Sequence, residues 1–354
     1  MNSSFGKTLR SLPGPILVTG HTGFKGTWLT LLLENLDIPV VGISLCPESD
    51  SLYETMKRKN KIDEMFLDIR NLNELQRAIE SFKPSAVLHM AAQPLVLESY
   101  ESPLTTFETN VMGTANLLQS CMKTTSVKSV GVVTTDKVYK NLGLGRAFRE
   151  SDPLEGKDPY SSSKVGAESV VSAWREMSLN HKGPQMFSLR AGNVIGGGDR
   201  AKNRLLPDLV NSKLSGILLE IRNPKSTRPW QHVLDPLHGY LMALEKSINQ
   251  PISSSYNFGP KSKSLTVENV TKIANDSWGN SIQVNYLGGL YNSKYEAEAL
   301  AIDPSLAHKE LNWSPFWSQE DAVRSTINWW KQVSEMTQTA YQACMFDIEY
   351  LLSN

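Results

Sequence analysis

The sequence is poor in cysteine and has no long apolar run. Its three cysteines, Cys46, Cys121 and Cys344, lie far apart and form neither a CxxC pair nor an even set. This pattern predicts reduced thiols in a cytoplasmic protein rather than a disulfide framework. The longest apolar stretches, such as 28–33, are far too short to span a bilayer, and residues 1–15 lack the apolar core of a secretory signal. We therefore expect no membrane partner.

The sequence also carries no formal net charge at pH 7. The 354 residues include 36 Lys plus Arg and 36 Asp plus Glu, so no overall field favours nucleic acid. The six histidines show no metal-ligand spacing, and we expect no metal site. A hydrophobic content of 40% and a charged content of 20% are ordinary for a globular protein, and the length allows two domains.

The first half of the chain alternates short β-branched runs with longer helical patterns. Such alternation predicts βαβ units and a parallel sheet. The predicted strands are residues 16–19, 40–44, 64–67, 86–90, 129–134 and 186–190. We therefore predict an α/β fold with a Rossmann-type, doubly wound parallel sheet, in which ligands bind beyond the carboxyl ends of the strands.

A glycine-rich turn follows the first strand and opens a helix pattern. Gly20 permits the tight turn, Gly23 lets the backbone approach a pyrophosphate, and Gly26 lets helix and strand pack closely. The helix N-terminus offers N–H donors and a partial positive charge to the phosphates. The turn therefore predicts a dinucleotide site, and we expect one or both of His21 and Lys25, inside the loop, to lie near the phosphates.

The second strand lacks the acidic residue that normally binds the adenosine ribose at its end. Glu48 and Asp50 are possible substitutes. The basic stretch 57–59 could instead receive a 2′-phosphate, although we favour a solvated helix face. Asp68 and Ile69, at the end of the third strand, are well placed to contact the adenine.

Of two Tyr-x-x-x-Lys matches, only one lies beside a strand end. Tyr53 and Lys57 fall between strands and are interpreted as a chance match, whereas Tyr160 and Lys164 open a long helix pattern about 25 residues after Thr135. The i,i+4 spacing puts phenol and ammonium on one face, where the lysine is expected to lower the tyrosine pKa from about 10 toward neutrality. A tyrosine with such a pKa can act as a general base toward an alcohol.

The fifth predicted strand ends in a second set of reactive groups. Thr135, Asp136 and Lys137 add a carboxyl and an amine to the tyrosine and lysine. Together with a bound hydride carrier, these are the groups that would take a hydride and a proton from a sugar alcohol and then expel water.

Several segments together carry a family resemblance. They are residues 18–26, 89–93, 133–139, 158–164, 190–199, 221–224 and 228–233. With them the chain resembles, over about residues 14–331, the extended short-chain dehydrogenase/reductases that act on nucleotide sugars. More narrowly, it is similar to the CDP-glucose 4,6-dehydratases, because related dTDP-glucose enzymes carry Asp-Glu where this chain has Asp136 and Lys137.

The resemblance implies NAD-dependent conversion of CDP-glucose to CDP-4-keto-6-deoxyglucose and water, in deoxysugar biosynthesis. The implied catalytic residues are Thr135, Asp136, Lys137, Tyr160 and Lys164. The predicted NAD site comprises Gly20, His21, Gly23, Phe24, Lys25, Gly26, Asp68, Ile69, Ala91, Ala92, Tyr160 and Lys164. The nucleotide diphosphate is expected at Asn193, Leu206 and Arg228. A homodimer through the helices around 106–121 and 160–177 is also implied, with a tetramer as the alternative.

Three points stay open at this stage. A 4-epimerase or 4-reductase keeps the Tyr/Lys pair but needs no acid at Asp136. A redox-dead NAD-binding scaffold would typically lose Tyr160 or Lys164, and this chain has both. Lys137 is interpreted as the base that removes the sugar C5 proton; a charged lysine that only steadies the enolate is the competing interpretation.

The pattern changes after Ala191, where glycines and prolines cluster and strands become sparse. We assign residues 1–190, with returns at about 230–258, to an NAD-binding domain. Residues 191–229 and 259–354 are assigned to a smaller, mixed nucleotide-sugar-binding domain. Beyond about residue 332 we expect a C-terminal helix with little site chemistry.

Overall fold

A computed structural model of the chain describes residues 5–353, apart from 142, 144 and 288–299. The strands are β1 (Ile16–Thr19), β2 (Val40–Ser44), β3 (Asp63–Phe66), β4 (Ala86–His89), β5 (Ser129–Val133), β6 (Gln185–Ala191), β7 (Val194–Ile195), β8 (Leu219–Ile221), β9 (Thr227–Arg228), β10 (Gln231–His232), β11 (Ser255–Phe258), β12 (Leu265–Thr266) and β13 (Val284–Tyr286).

The α-helices are α1 (Lys7–Arg10), α2 (Phe24–Asn35), α3 (Leu52–Thr55), α4 (Leu72–Phe82), α5 (Val96–Glu101), α6 (Pro103–Phe107), α7 (Gly113–Lys123), α8 (Pro159–Asn180), α9 (Leu205–Ser215), α10 (Leu234–Asn249), α11 (Val267–Ser277), α12 (Ser305–Leu311), α13 (Gln319–Ser334) and α14 (Ala340–Ser353). A π-helical turn, Glu108–Met112, joins α6 to α7, and a 3₁₀ turn, Asp136–Val138, follows β5.

Seven strands form one parallel sheet in the order β3, β2, β1, β4, β5, β6, β11. The predicted Rossmann-type fold is confirmed. The strand order reverses between β1 and β4, which is the switch point where such sheets bind ligands. The glycine turn follows β1, and the predicted catalytic residues follow β5, so both lie at the carboxyl edge of the sheet.

Helices cover both faces of this sheet. In β1, Ile16 and Val18 belong to a core shared with α2 and α10, whereas Leu17 belongs to a second core shared with α4 and α7. Because both faces are covered, the central strands consist of almost unbroken apolar residues. The edge strand β3 is the least buried of the seven.

The chain returns to the sheet after residue 230 in two ways. The predicted return at 255–258 is β11, which pairs with β6. The stretch 231–244 returns as a helix rather than as a strand of the main sheet. Its first two residues, β10, pair with β7 in a separate two-stranded sheet, and α10 packs against β5 and β6. The spacing of Leu234, Leu237 and Leu241 explains this, since it places all three on one helical face.

The remaining elements are small sheets and terminal helices. β9 pairs with β12, and β8 pairs with β13. The C-terminal helix expected beyond about residue 332 is α14, which packs against α13 and α2. Among the described residues, no helix combines the length and the apolarity that a membrane span requires. All three cysteines are free, and only Cys46 is exposed.

Candidate active site

The glycine turn between β1 and α2 is shaped by close backbone contacts. Gly20 has a φ of +74°, and a Cβ there would lie 2.8 Å from the Ala91 nitrogen. A Cβ on Gly26 would lie 2.1 Å from the Gly20 oxygen. At Gly23, by contrast, a Cβ would meet only that same oxygen at 3.3 Å, and the residue is exposed. The open side at Gly23, just before α2 begins at Phe24, fits the pyrophosphate of a dinucleotide.

The end of β4 forms the opposite wall of this turn. The backbone nitrogens of Met90 and Ala91 each donate to Thr19 Oγ1 at 3.2 Å. Ala91 and Ala92 are half-buried beyond the strand end, and Ala91 faces Gly20. Two small residues therefore keep the space beside the turn open, as expected of the predicted cofactor site.

His21 contacts residues of β2 and β3 beneath the loop. Its buried imidazole Nε2 lies 2.8 Å from Glu64 Oε2, and a Cβ on Gly42 would lie 2.5 Å from the ring. Burial lowers the pKa of His21, with the Glu64 carboxylate opposing that shift. Glu64 also accepts a hydrogen bond from Tyr53, so the tyrosine of the chance Tyr-x-x-x-Lys match belongs to this cluster. His21 thus joins the glycine turn to β2 and β3.

Lys25 points toward the other end of the site. It is half-buried, and its Nζ lies 5.7 Å from the centroid of the Tyr240 ring. Burial lowers the pKa of Lys25 to about 7, and the charges of Lys164 and Arg204 add to the shift. Lys25 therefore shares an environment with the predicted catalytic lysine.

The end of β2 carries hydroxyls where a ribose-binding carboxylate is usual. Ser44 Oγ lies 2.7 Å from Thr22 Oγ1, which also donates to the Leu45 oxygen at 3.2 Å. Glu48 and Asp50, the proposed substitutes, are exposed further along the loop.

The basic stretch 57–59 does not present three free cations. Arg58 is buried and ion-paired with Glu34, whereas Lys57 and Lys59 are exposed. Its central cation is therefore part of the packing of α2, which weakens the case for a 2′-phosphate site.

Asp68 and Ile69 follow β3. Asp68 accepts two hydrogen bonds from the Arg70 guanidinium, at 2.6 and 2.9 Å, and these hold the pKa of the carboxyl below its usual range. Ile69 is buried, and its Cδ1 would lie 2.6 Å from a Cβ on Gly113. Ile69 therefore packs against α7, and Asp68 lies at the strand edge beside it.

The start of α8 is fixed by a capping box. Asp158 accepts from the Ser161 nitrogen at 2.9 Å, the Ser161 hydroxyl contacts the Asp158 nitrogen in return, and Pro159 is the first helical residue. Tyr160 therefore stands in the first turn, with its own nitrogen donating to Ser99 Oγ at 3.1 Å. Lys164 follows one turn later on the same face.

The protonation predicted for this pair needs correction. The sequence predicts a lowered tyrosine pKa, but burial raises the pKa of Tyr160 to about 12, opposed by a hydrogen bond with Thr135 and the charge of Arg204. Burial also lowers the pKa of Lys164 to about 8, with Glu168 opposing it, and its Nζ donates to the Val133 oxygen at 3.3 Å. Desolvation is thus the largest influence on the pKa of both groups.

The residues after β5 lie beside Tyr160. The Thr135 hydroxyl donates to Asp136 Oδ1 at 3.1 Å and accepts from the Lys137 nitrogen at 3.3 Å. Asp136 is only 2% exposed, and its Oδ2 has no hydrogen-bond partner among the described residues. Burial raises the pKa of Asp136, opposed by Lys137, Thr135 and Arg228. The Nζ of Lys137 lies 5.9 Å from the Tyr160 ring centroid.

The predicted substrate residues come from the second part of the chain. Arg228 is buried in β9, near enough to Asp136 to act on its pKa. Leu206 is buried at the start of α9. The backbone oxygen of Asn193 accepts a hydrogen bond from the backbone nitrogen of Gln231 at 3.0 Å. Arg228 therefore lies at the same edge of the sheet as the catalytic set, and Asn193 follows the end of β6.

Sequence reasoning missed three residues near the site. Arg204 acts electrostatically on Tyr160 and Lys25 and pairs with Asp199 at 3.0 Å. The buried Tyr240 hydroxyl has no partner among the described residues. Neither position carries a local signal, because α9 and α10 bring them in from distant segments. Glu168, by contrast, stands four residues after Lys164, and helical periodicity would have found it.

No three His, Cys, Asp or Glu side chains are grouped so that they could hold a metal ion, within the residues that the structure describes.

The family follows from comparison with known proteins. The model of the family described as GDP-mannose 4,6 dehydratase matches residues 17–326. The chain belongs to this family. A curated CDP-glucose 4,6-dehydratase of Salmonella typhimurium is 41% identical over 325 residues, which cover 89% of this chain and 90% of the relative. A dTDP-glucose 4,6-dehydratase of Haemophilus influenzae is 26% identical and covers 89% of this chain and 97% of its own length.

The solved structures agree with this assignment. DesIV, the dTDP-glucose 4,6-dehydratase of Streptomyces venezuelae with NAD and TYD bound, superposes with a TM-score of 0.75 at 25% identity, covering 90% of this chain and 97% of that chain. A UDP-glucose-4-epimerase of Stenotrophomonas maltophila reaches 0.80 at 22% identity, covering 91% and 99%, and this likeness shows the fold alone. The chain is thus a nucleotide-sugar 4,6-dehydratase, a hydro-lyase, as predicted.

Proposed function

We propose that the chain converts CDP-glucose to CDP-4-keto-6-deoxyglucose and water with NAD as its cofactor. The observation that carries this proposal is the buried carboxyl of Asp136, beside Tyr160, with a raised pKa and one oxygen that no described residue meets with a hydrogen bond. Such a carboxyl can hold a proton and donate it. An epimerase or 4-reductase has no use for that proton, whereas dehydration needs it for the leaving hydroxyl.

The residues around the glycine turn would hold the cofactor. Gly23 and the first turn of α2 would receive the pyrophosphate, and Ala91 and Ala92 would border the nicotinamide half. Asp68 and Ile69 lie where the adenine would end. Bound NAD would supply a hydride acceptor that also returns the hydride, so the overall conversion is redox-neutral. The hydroxyl-lined end of β2 favours NAD retained weakly, because it lacks the usual ribose carboxylate.

Tyr160 begins the reaction on the sugar. Its phenolate takes the proton of the 4-hydroxyl as the C4 hydrogen leaves as hydride, which yields a 4-ketone. With its pKa raised to about 12 in the buried site, the phenol needs stabilisation of its anion. We assign this role to the ammonium of Lys164, one turn later on the same helical face. The hydrogen bond with Thr135 contributes in the same direction.

Elimination then uses the residues after β5. The 4-ketone acidifies the C5 hydrogen, and Lys137 is proposed to remove it as a base. A charged Lys137 that stabilises the enolate is the alternative. Asp136 donates its proton to the 6-hydroxyl, so the C6–O bond breaks and water leaves. A proton returned to C5, with the hydride that bound NAD would supply to C6, would complete the 4-keto-6-deoxy sugar.

The nucleotide is proposed to be CDP because the curated relative of 41% identity acts on CDP-glucose. Arg228, Leu206 and Asn193 are proposed to hold the diphosphate and ribose, since Arg228 lies at the catalytic edge of the sheet and Asn193 follows the end of β6. The exposed arginine of the Asp199–Arg204 pair adds positive charge nearby.

Incubation with CDP-, dTDP-, UDP- and GDP-glucose, each with NAD, tests this proposal. We expect a 4-keto product, read by its absorbance in alkali, with CDP-glucose preferred. Added NAD should increase the activity of protein purified without it, and NADP should not replace NAD. The Asp136→Asn variant is the control. Preference for another nucleotide would contradict the CDP assignment, and a 4-epimer as product would contradict dehydration.

We also propose a homodimer, with a tetramer as the alternative. Exposed apolar side chains lie along α5, α6 and the π-helical turn, next to the packing of α6 and α7 on α8 in the chain; they are Leu97, Leu104, Phe107 and Met112. Leu104 is 78% exposed. Light scattering should give a dimeric mass for the native chain and a smaller mass for Leu104→Glu. A native monomer would contradict the proposal.

Finally, we place this reaction in deoxysugar biosynthesis in the cytoplasm. The support is the chemistry of the product, a 4-keto-6-deoxy sugar that reductases and transaminases can modify further, and the three free cysteines. Cell fractionation with an antibody to the chain would test the location.

A further inference from the structure

A buried ion pair lies beneath the residues that follow β5. Arg190 Nη2 donates to Glu168 Oε2 at 2.8 Å, and its Nε donates to Oε1 at 2.9 Å. The two side chains are 5% and 6% exposed. Arg190 stands near the end of β6, and Glu168 stands in α8 one turn after Lys164. The two parallel bonds make a rigid, directional link between strand and helix.

This ion pair contacts both ends of one short segment. Thr134 Oγ1 donates to Glu168 Oε1 at 2.5 Å, and Arg190 Nη1 donates to the Tyr139 hydroxyl at 2.9 Å. Asp136 and Lys137 lie between these two points. The segment is therefore held at its start by the carboxylate and at its end by the guanidinium.

The Tyr139 end is held in further ways. Its hydroxyl donates to Asn257 Oδ1 at 2.6 Å, and its ring stacks on Phe148 with centroids 5.1 Å apart and planes at 3°. Tyr139 is 2% exposed. One phenol thus connects the segment to β6 through Arg190 and to β11 through Asn257.

We infer that Glu168, Arg190 and Tyr139 form a clamp that positions Asp136 and Lys137 for the elimination step. This inference rests on the proposed function, because it assigns elimination to those two residues. Tyr160 is anchored by the capping box of α8 and by Ser99, and it meets the segment at Thr135, next to the end that Glu168 holds. Loosening the Tyr139 end therefore affects elimination more than the oxidation of C4.

Tyr139→Phe is the variant that tests the clamp. It removes the hydroxyl that joins Arg190 to Asn257 and keeps the stacked ring. Tyr256→Phe is the matched control, since this buried tyrosine of β11 donates to Glu310 Oε2 at 2.5 Å, away from the segment. Each variant loses both hydrogen bonds of a buried phenol, because the Tyr256 hydroxyl also accepts from the Ser253 nitrogen at 3.1 Å, so both melting temperatures should fall.

Only Tyr139→Phe should loosen residues 135–138 and slow elimination relative to the oxidation of C4. In cofactor-free protein we expect amide exchange at residues 135–138 to rise about tenfold, with the rest of the chain unchanged. In single turnovers with CDP-glucose and NAD, we expect reduced cofactor to accumulate, kcat to fall about tenfold and KM to stay within about twofold. Equal exchange and equal kinetics in both variants would overturn the inference.

Thr134→Val provides an independent test at the other end of the clamp. It removes the hydrogen bond to Glu168 without leaving Arg190 unpaired, and it decides the matter if Tyr139→Phe does not fold. Faster exchange at residues 135–138 supports the clamp, and unchanged exchange contradicts it. If the native chain acts on none of the nucleotide sugars, the proposed function fails, while the exchange measurement still tests the clamp.

Discussion

Burial sets the protonation of the individual reactive side chains. It raises the pKa values of Asp136 and Tyr160 and lowers those of Lys25 and Lys164. A buried carboxyl that keeps its proton is an acid ready to donate, and a tyrosine that resists ionisation needs a nearby cation before it can act as a base. Desolvation therefore favours the proton-donating form of Asp136. It also makes the ionisation of Tyr160 depend on neighbouring cations.

The Tyr160→Phe variant tests the proton acceptor. It removes the hydroxyl and keeps the ring, so turnover should fall at least about 100-fold, the usual scale for a lost acid or base. Binding of the nucleotide sugar, measured by calorimetry, should persist. Turnover close to that of the native chain would show that the Tyr160 and Lys164 pair is structural.

The Lys137→Met variant separates the two interpretations of Lys137. If this lysine is the base, C4 is oxidised and the reaction stalls, so reduced cofactor builds up in a single turnover. The C5 hydrogen then fails to exchange with deuterated solvent, as read by NMR. Normal deuterium incorporation at C5 would exclude Lys137 as the base and leave the enolate-stabilising role.

The lowered pKa of Lys25 should make the stability of the fold depend on pH. Burial lowers its pKa from 10.5 to about 7, so between these values the unfolded chain holds a proton that the folded chain has lost. The free energy of unfolding therefore rises with pH through this window, and below about pH 7 the buried charge costs a few kcal/mol.

Lys25→Met should remove that cost. In cofactor-free protein we expect it to raise the unfolding free energy by about 2–4 kcal/mol near pH 6.5 and by clearly less near pH 9.5. Urea unfolding at the two pH values measures this. Lys59→Met, at an exposed position, is the control and should show no such difference. An equal effect of Lys25→Met at both pH values would contradict the lowered pKa.

At the scale of elements, the start of α8 aligns the site. The capping box lets the helix begin at Pro159, and this places Tyr160 in the first turn and Lys164 in the second. A helix that began one residue later would turn both side chains by about 100°. The cap therefore contributes to function as well as to stability.

Asp158→Ala tests this role of the cap. It should cost about 1 kcal/mol of unfolding free energy and also reduce kcat several-fold, because the first turn of α8 frays around Tyr160. Ser318→Ala is the matched control: Ser318 caps α13 by accepting from the Asp321 nitrogen at 3.0 Å. It should lose similar stability in urea unfolding and keep its kcat. Equal kcat in both variants would show that the cap has no catalytic role.

Local patterns explain why much of the sheet could be predicted from the sequence. β1, β2 and β5 are short buried apolar runs, and Gly20 and Gly26 stand where a Cβ would lie within 3 Å of backbone atoms in the turn that joins β1 to α2. The second part of the chain was harder to predict, because α10 begins directly after the two-residue strand β10. There the periodicity of helix and strand overlap within a few residues.

Contacts between distant residues explain what the sequence did not show. His21 meets Glu64 across 43 positions, and Arg190 meets Glu168 across 22. No spacing rule connects such pairs, since the sheet brings them together. The lowered tyrosine pKa was wrong for the same reason: the i,i+4 pair predicts an attraction, but only the packed structure shows how strongly both groups are desolvated.

At the scale of the whole molecule, one edge of the sheet gathers the residues to which the proposed function assigns the reaction. The glycine turn follows β1, the acid and amine follow β5, and α8 brings the tyrosine and lysine between them. Arg228 arrives from the second part of the chain and acts on Asp136. The central claim is that these groups carry out both an oxidation and an elimination on a single bound sugar, with the hydride returned to that sugar.

CDP-glucose deuterated at C4 tests this claim most directly. The native chain, supplied with NAD, should give a 4-keto-6-deoxy product that carries the deuterium at C6, as read by NMR and mass spectrometry. Tyr160→Phe should give almost none of this product. A product that keeps the deuterium at C4, as an epimer would, or one that has lost it to solvent, would contradict the account.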